Sequence, residues 1–205
     1  MLASECPGFF CGGFDISEVF SYDRDNMTFF SARFIDLYEG LYLLPKPVVA
    51  AISGHACAGG AMLAAACDLR IMARDVADFA LNEINLGLML PPGFIRMLVG
   101  AVGPGAARAM VLTGDPVRSE RALEIGLVSE VVDLAAIRQR AIELCSALAN
   151  KPESAFAANK RSLREVLGRT ASDSDRIYLQ DIIDRWFSPD VEALRRSLHD
   201  SLGGK

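Results

Sequence analysis

Gly59 and Gly60 end the run A-I-S-G-H-A-C-A-G-G at residues 51–60, and Ala61-Met62-Leu63-Ala64-Ala65-Ala66 follows directly. A glycine pair ahead of good helix formers predicts a tight turn feeding a helix start. The first N–H groups of a helix have no intrahelical partner and attract developing negative charge. The same composition also serves plain close packing. A second pair, Gly12-Gly13, lies in F-F-C-G-G-F-D at residues 9–15, giving a second place where a backbone N–H can be presented. Glu83, in F-A-L-N-E-I-N-L-G at 79–87, has Phe79, Leu81, Ile84, Leu86 and Leu88 for company. A carboxylate in apolar surroundings has a raised pKa and can act as a base, whereas a plain strand-end acid sits at the surface.

The elements that must hold these groups alternate. Val48–Ile52, Leu69–Ala73 and Ala77–Leu81 read as strands, and Leu127–Val132 as a last one. Ala61–Ala66, Gly93–Val99, Gly105–Leu112 and Arg118–Ile125 read as helices, the last ended by Gly126. Beyond Asp133 the pattern is helical: Leu134–Leu148, Glu153–Leu167, Asp173–Phe187, and Asp190–Leu202 after Pro189. A boundary at residue 133 therefore separates an α/β core (1–133) from a C-terminal helical region (134–205). Asp15 is placed to cap a helix with Ile16, Val19 and Phe20 at helical spacing.

The 205 residues are 51% hydrophobic, enough for one globular core. A net charge of −5, from 21 basic and 26 acidic residues, leaves no basic footprint for nucleic acid. No continuous apolar run reads as a membrane span, and Ala56–Ala66 is too short and glycine-broken. Met1-Leu2-Ala3-Ser4-Glu5 lacks the basic start and apolar core of a signal peptide. Five cysteines without a C-x-x-C pair imply reduced thiols, and a cytoplasmic location is expected. His55 and His199 have no metal-ligand spacing around them, so no metal is expected.

The motifs F-C-G-G-F-D, K-P-V-V-A-A-I-S-G-H-A-C-A-G-G, C-D-L-R-I-M-A and L-N-E-I-N-L-G-L, in that order, resemble the crotonase (enoyl-CoA hydratase/isomerase) superfamily. The resemblance continues through G-P-G-A-A-R-A-M-V-L-T-G-D-P-V and A-L-E-I-G-L-V-S-E-V-V, and weakly through the helical region. It implies a ββα-superhelix core with a C-terminal trimerisation region, and an assembly of a homotrimer or dimer of trimers. Family members usually carry further strands ahead of F-C-G-G-F-D. This chain begins eight residues before Phe9, so a fold lacking its first strands, with an exposed sheet edge, is expected.

By motif match, the backbone N–H groups of Phe14 and Gly59 would form an oxyanion hole for a thioester enolate, with Glu83 as the base. Gly12, Gly13, Asp15, Gly60 and Asn82 complete the expected substrate contacts. No cofactor is implied, since coenzyme A arrives as part of an acyl-CoA substrate. Hydratase-type members carry a second glutamate at the position of Met62. Its absence, with the L-N-E-x-x-L-G form, points to Δ3,Δ2-enoyl-CoA isomerisation. Other acyl-CoA reactions on the same scaffold, or an inactive truncated paralogue, are the alternatives. His55 and Asp68 read as structural, and Lys160 and Arg161 as a solvated face or coenzyme A phosphate contacts.

Overall fold

The computed structural model describes residues 1–167 and 175–201. Among the described residues, seven strands form two small sheets. β1 (Phe9–Cys11), β3 (His55–Cys57), β5 (Asp78–Ala80) and β6 (Val117–Arg118) make the first, in the order β1-β3-β5-β6. β2 (Val49–Ile52), β4 (Leu69–Ala73) and β7 (Glu130–Val132) make the second, in the order β2-β4-β7. All neighbours are parallel except β5 and β6. β2 reads V-A-A-I and is buried at every position, as a parallel strand covered on both faces must be.

The helices are α1 (Ile16–Phe20), α2 (Arg24–Leu43), α3 (Gly59–Ala66), α4 (Pro92–Thr113), α5 (Ser119–Glu124), α6 (Ile137–Ala149), α7 (Glu153–Val166), α8 (Leu179–Trp186) and α9 (Pro189–Ser201). Short 3₁₀ turns occupy Glu83–Leu86 and Leu134–Ala136. α3 is apolar all round and almost wholly buried, so small side chains are required along it. A Cβ on Gly60 would stand 2.2 Å from the Cys11 carbonyl oxygen, which brings β1 directly onto the helix.

Several boundaries differ from the sequence expectation. β4 coincides with it, whereas Ala77–Leu81 shortens to β5 and Leu127–Val132 to β7. Gly93–Val99 and Gly105–Leu112 belong to α4, which breaks between them at Gly103 (φ 75°, ψ 165°) ahead of Pro104. By length and composition α4 is long and apolar enough to cross a membrane, contrary to expectation, but it is kinked and buries Phe94, Met97 and Leu98. Residues 173 and 174 of the expected helix Asp173–Phe187, and Leu202 of the last, lie outside the described residues.

α2 is a 20-residue helix to which the sequence pattern assigned nothing. Its signals are an Asp23 cap accepting from Asn26 N at 2.8 Å and a buried face through Met27, Ile35, Tyr38 and Tyr42. At the start of the chain, Leu2 bridges Ala50 in parallel, so backbone pairing continues beyond β2. The five cysteines are free thiols.

Two buried ionic groups fasten the core. Arg70 on β4 donates to the carbonyls of Leu127, Ala65 and Cys67, the last two at the C-terminal end of α3. Cationic donors there satisfy orphan carbonyls and complement the helix dipole. Asp68 accepts from Val48 N, Lys160 Nζ and Arg164 Nη2 at 2.8–3.0 Å. Asp68 is structural, as expected. Lys160 is buried in this cluster and is unavailable to coenzyme A, which corrects that expectation.

Candidate active site

The two glycine segments meet at the start of α3. A Cβ on Gly13 would lie 3.2 Å from Ala58 Cβ and 3.4 Å from the Gly59 amide nitrogen. The first rung of α3 runs from Met62 N to Ala58 O at 3.0 Å, so the N–H groups of Gly59, Gly60 and Ala61 precede the helical ladder. The sharp backbone reversal is at Ala58 (φ 48°, ψ −123°), not at the glycine pair. Gly59 and Gly60 are glycines for close approach instead: a Cβ on Gly59 would stand 2.9 Å from the Phe14 ring. Gly13 does take a positive φ of 98°, a conformation that disfavours other residues.

Glu83 opens the 3₁₀ turn two residues beyond Leu81, with Asn82 ahead of it as cap. Its Oε2 is buried and makes no hydrogen bond among the described residues. Burial pushes the carboxyl up to about 7, opposed only by a backbone hydrogen bond. A group poised there can take and return a proton near neutral pH.

Gly12, Phe14, Gly59, Asn82 and Glu83 all line one cavity of about 480 Å³. Met62 projects into it from α3. Among the described lining residues Glu83 is the single ionisable group. The remaining wall is mostly apolar, with Val19, Phe20 and Met27 from α1 and α2 and Ile182, Trp186 and Leu198 from α8 and α9, and Ser31 and Asn85 add two neutral polar groups. A hydrophobic cavity with few convergent polar groups suits an acyl chain.

Not every expected contact reaches it. Gly13 and Gly60 stand behind the wall, and Gly60 packs on Cys11. Asp15 caps α1, accepting from Glu18 N at 3.2 Å, and lies off the cavity. Asn82 lines the cavity and makes no side-chain cap bond. His55 stands 3.4 Å from Asp78 and edge-on to Phe9, a packing role. The cavity contributions of Ile182 and Trp186 were not foreseen. Leu198 of α9 also lines the cavity.

This arrangement of parallel strands, a glycine-started helix and a buried acid is the crotonase fold. Human mitochondrial Δ3-Δ2-enoyl-CoA isomerase superimposes with a TM-score of 0.91, covering 98% of this chain and 79% of that one at 24% identity. An enoyl-CoA hydratase from Mycobacterium ulcerans does so at 0.76, covering 87% and 76% at 26% identity.

The family model described as enoyl-CoA hydratase/isomerase matches residues 1–182, and the chain belongs to that family. It is 32% identical over 171 residues to the mitochondrial enoyl-CoA hydratase of Pongo abelii, covering 82% of this chain and 57% of the relative. It is 33% identical over 157 residues to the 2,3-dehydroadipyl-CoA hydratase of Escherichia coli K12, covering 77% and 60%. The chain thus spans no more than three fifths of the length of these curated relatives.

Proposed function

We propose that the protein moves the double bond of a 3-enoyl-CoA into conjugation, giving a 2-enoyl-CoA. The observation that carries this reading is the pairing of Glu83 with Met62 in one cavity: a single base and, where hydration needs a second carboxylate, a thioether. The C2 proton of a 3-enoyl thioester is acidified by both the carbonyl and the alkene. Glu83 takes it, and the electron pair moves onto the thioester oxygen. Amide donors at Phe14 and Gly59 stabilise that oxyanion, each contributing roughly 3–4 kcal/mol. The protonated Glu83 then delivers the proton to C4, and the enolate collapses to the conjugated product.

Hydration is the second reading, favoured by the names of the curated relatives. Adding water across C2–C3 is helped by two carboxylates that orient and deprotonate it. Substrate choice separates the readings. Isomerisation of a 3-enoyl-CoA should exceed hydration of a matched 2-enoyl-CoA by at least about tenfold, roughly 1.4 kcal/mol in barrier. The reverse ratio overturns the isomerase assignment.

In this reading the partner is an acyl-CoA, no further cofactor takes part, and the functional assembly is a homotrimer or dimer of trimers.

A further inference from the structure

The turn that carries Glu83 has no buried residue of its own, so packing within it does not fix its place. It closes on Gly87 at φ 69°, with Gly87 N donating to Ile84 O at 2.9 Å and Leu88 N to Glu83 O at 3.0 Å. The Gly87 carbonyl accepts from Arg185 Nε of α8 at 2.5 Å. Arg185 Nη2 stands 2.8 Å from Asp190 Oδ2 in the first turn of α9. A Cβ on Gly87 would lie 3.0 Å from Val191 Cγ2 and 3.2 Å from Arg185 Nη2, so turn and helices touch without a gap. One guanidinium therefore ties the Glu83 turn to the two helices that carry Ile182, Trp186 and Leu198 into the cavity.

We propose that Arg185 is a positioning residue for the reaction: its hydrogen bond to Gly87 holds the Glu83 turn against α8 and α9, so that the acyl wall and the base are set together. The proposal rests on reading Glu83 as the base. A charge-assisted bond of this kind is roughly twice as strong as a neutral one, and the planar guanidinium serves the carbonyl and the carboxylate at once. Misplacing a reacting group by about 1 Å costs on the order of a hundredfold in rate.

No other ionisable group among the described residues is a cause of the raised Glu83 carboxyl. On the elements packed against its turn the ionisable residues include Arg96 and Arg108 of α4 and Asp190, Glu192, Arg195 and Arg196 of α9, whose sequence continues with His199 and Asp200. Cys57 on β3 feels the carboxylate, and its own thiol is raised chiefly by burial. The raised value of Glu83 comes from burial. Loosening the turn admits water, and the carboxyl falls back toward its ordinary range.

The test uses the whole chain with Arg185→Ala, Arg185→Lys, Asp190→Asn and Glu83→Gln. Turnover of a 3-enoyl-CoA is followed from pH 5 to 9. The Glu83 carboxyl is titrated by infrared difference in the unliganded protein, with Glu83→Gln as the blank. Arg185→Ala should lower kcat on the order of a hundredfold while KM stays within about threefold. The acid limb and the infrared midpoint should both move down. Arg185→Lys should recover much of kcat, and Asp190→Asn, which leaves the Gly87 bond, should stay near parental. If Arg185→Ala does not fold, Arg185→Lys and the infrared midpoint carry the test. A loss uniform across pH, with an unmoved midpoint, overturns the proposal in favour of a merely structural arginine. If Glu83→Gln keeps turnover, the base assignment itself fails. If it is inactive while Arg185→Ala has parental kcat and midpoint, only the role of Arg185 fails.

Discussion

Phe14 and Gly59 touch where the two glycine segments meet, with room for a hydrogen but not a methyl: an added Cβ would stand 2.9 Å from Phe14 Cε1 and 3.2 Å from Phe34 Cζ. The Phe14 ring cannot swing away freely, because Phe30 and Phe34 hold it edge-on with centroids 4.7 Å distant on each side. Gly59→Ala should therefore cost about 1–3 kcal/mol through overpacking, lowering Tm by about 2–12 °C. Turnover should fall further, on the order of ten- to a hundredfold, as the amide moves off the thioester oxygen. Melting and turnover are measured on the same purified variant. Parental turnover in a destabilised Gly59→Ala would remove this amide from the mechanism.

Glu83 links activity and stability to pH in opposite senses. With its carboxyl raised from 4.5 to about 7, Glu83 is protonated on the acid side, where the base of the proposed reaction is idle. Turnover should rise through pH 7 and level off above it. The folded protein holds this proton more tightly than the unfolded chain does. That stabilising contribution is complete below about 4.5 and is lost as pH climbs through about 7.

Glu83→Gln, neutral throughout, should escape this loss. It should be more stable than the parent at pH 8 by up to about 3 kcal/mol, with little gain near pH 4.5. Its turnover should be abolished while coenzyme A thioesters still bind. Urea titrations at the two pH values read the first effect. An equal gain at both would mean that the carboxylate is solvated.

Met62→Glu places a second acid at a position 4% exposed. Burying it without a partner should destabilise the protein by about 1–3 kcal/mol, and Glu83 should titrate still higher beside it. Hydration of a 2-enoyl-CoA should rise relative to isomerisation. An unchanged ratio in a folded variant would show that residue 62 does not select the reaction.

Asp68→Asn leaves Lys160 and Arg164 buried without their carboxylate. The expected cost is about 3–5 kcal/mol, because a buried charge then lacks its counter-ion. Arg164 keeps its stacking 3.6 Å over the Tyr42 ring, so the loss should concentrate on Lys160. Denaturant midpoints of Asp68→Asn and of Asp68→Asn with Lys160→Met test this. The double variant should recover part of the loss.

A strand that is a continuous apolar run was legible because burial on both faces leaves one reading, as in β2, and β4 was legible despite Arg70 through its apolar Leu69, Ile71, Met72 and Ala73. β3, three residues long with the sequence H-A-C, carries no such pattern and exists through its neighbours β1 and β5. The glycines and Glu83 were visible by type, yet the positive φ at Ala58 was not, since alanine has no propensity for it. Trp186 was illegible as a cavity residue because a helical stripe does not say which surface it will meet.

Ala58 has one more consequence. Its left-handed backbone is unfavourable for an alanine, and it persists because Ala58 N donates to Ala80 O on β5 while Ala58 O accepts the first rung of α3. The reversal ahead of the Gly59 amide is thus held by the fold's own backbone hydrogen bonds. In the proposed reaction, little conformational entropy then remains to be lost when the enolate oxygen meets this amide, which need not reorient as charge develops. Relaxing this residue to glycine would release strain from the folded chain and leave the next amide freer to wander.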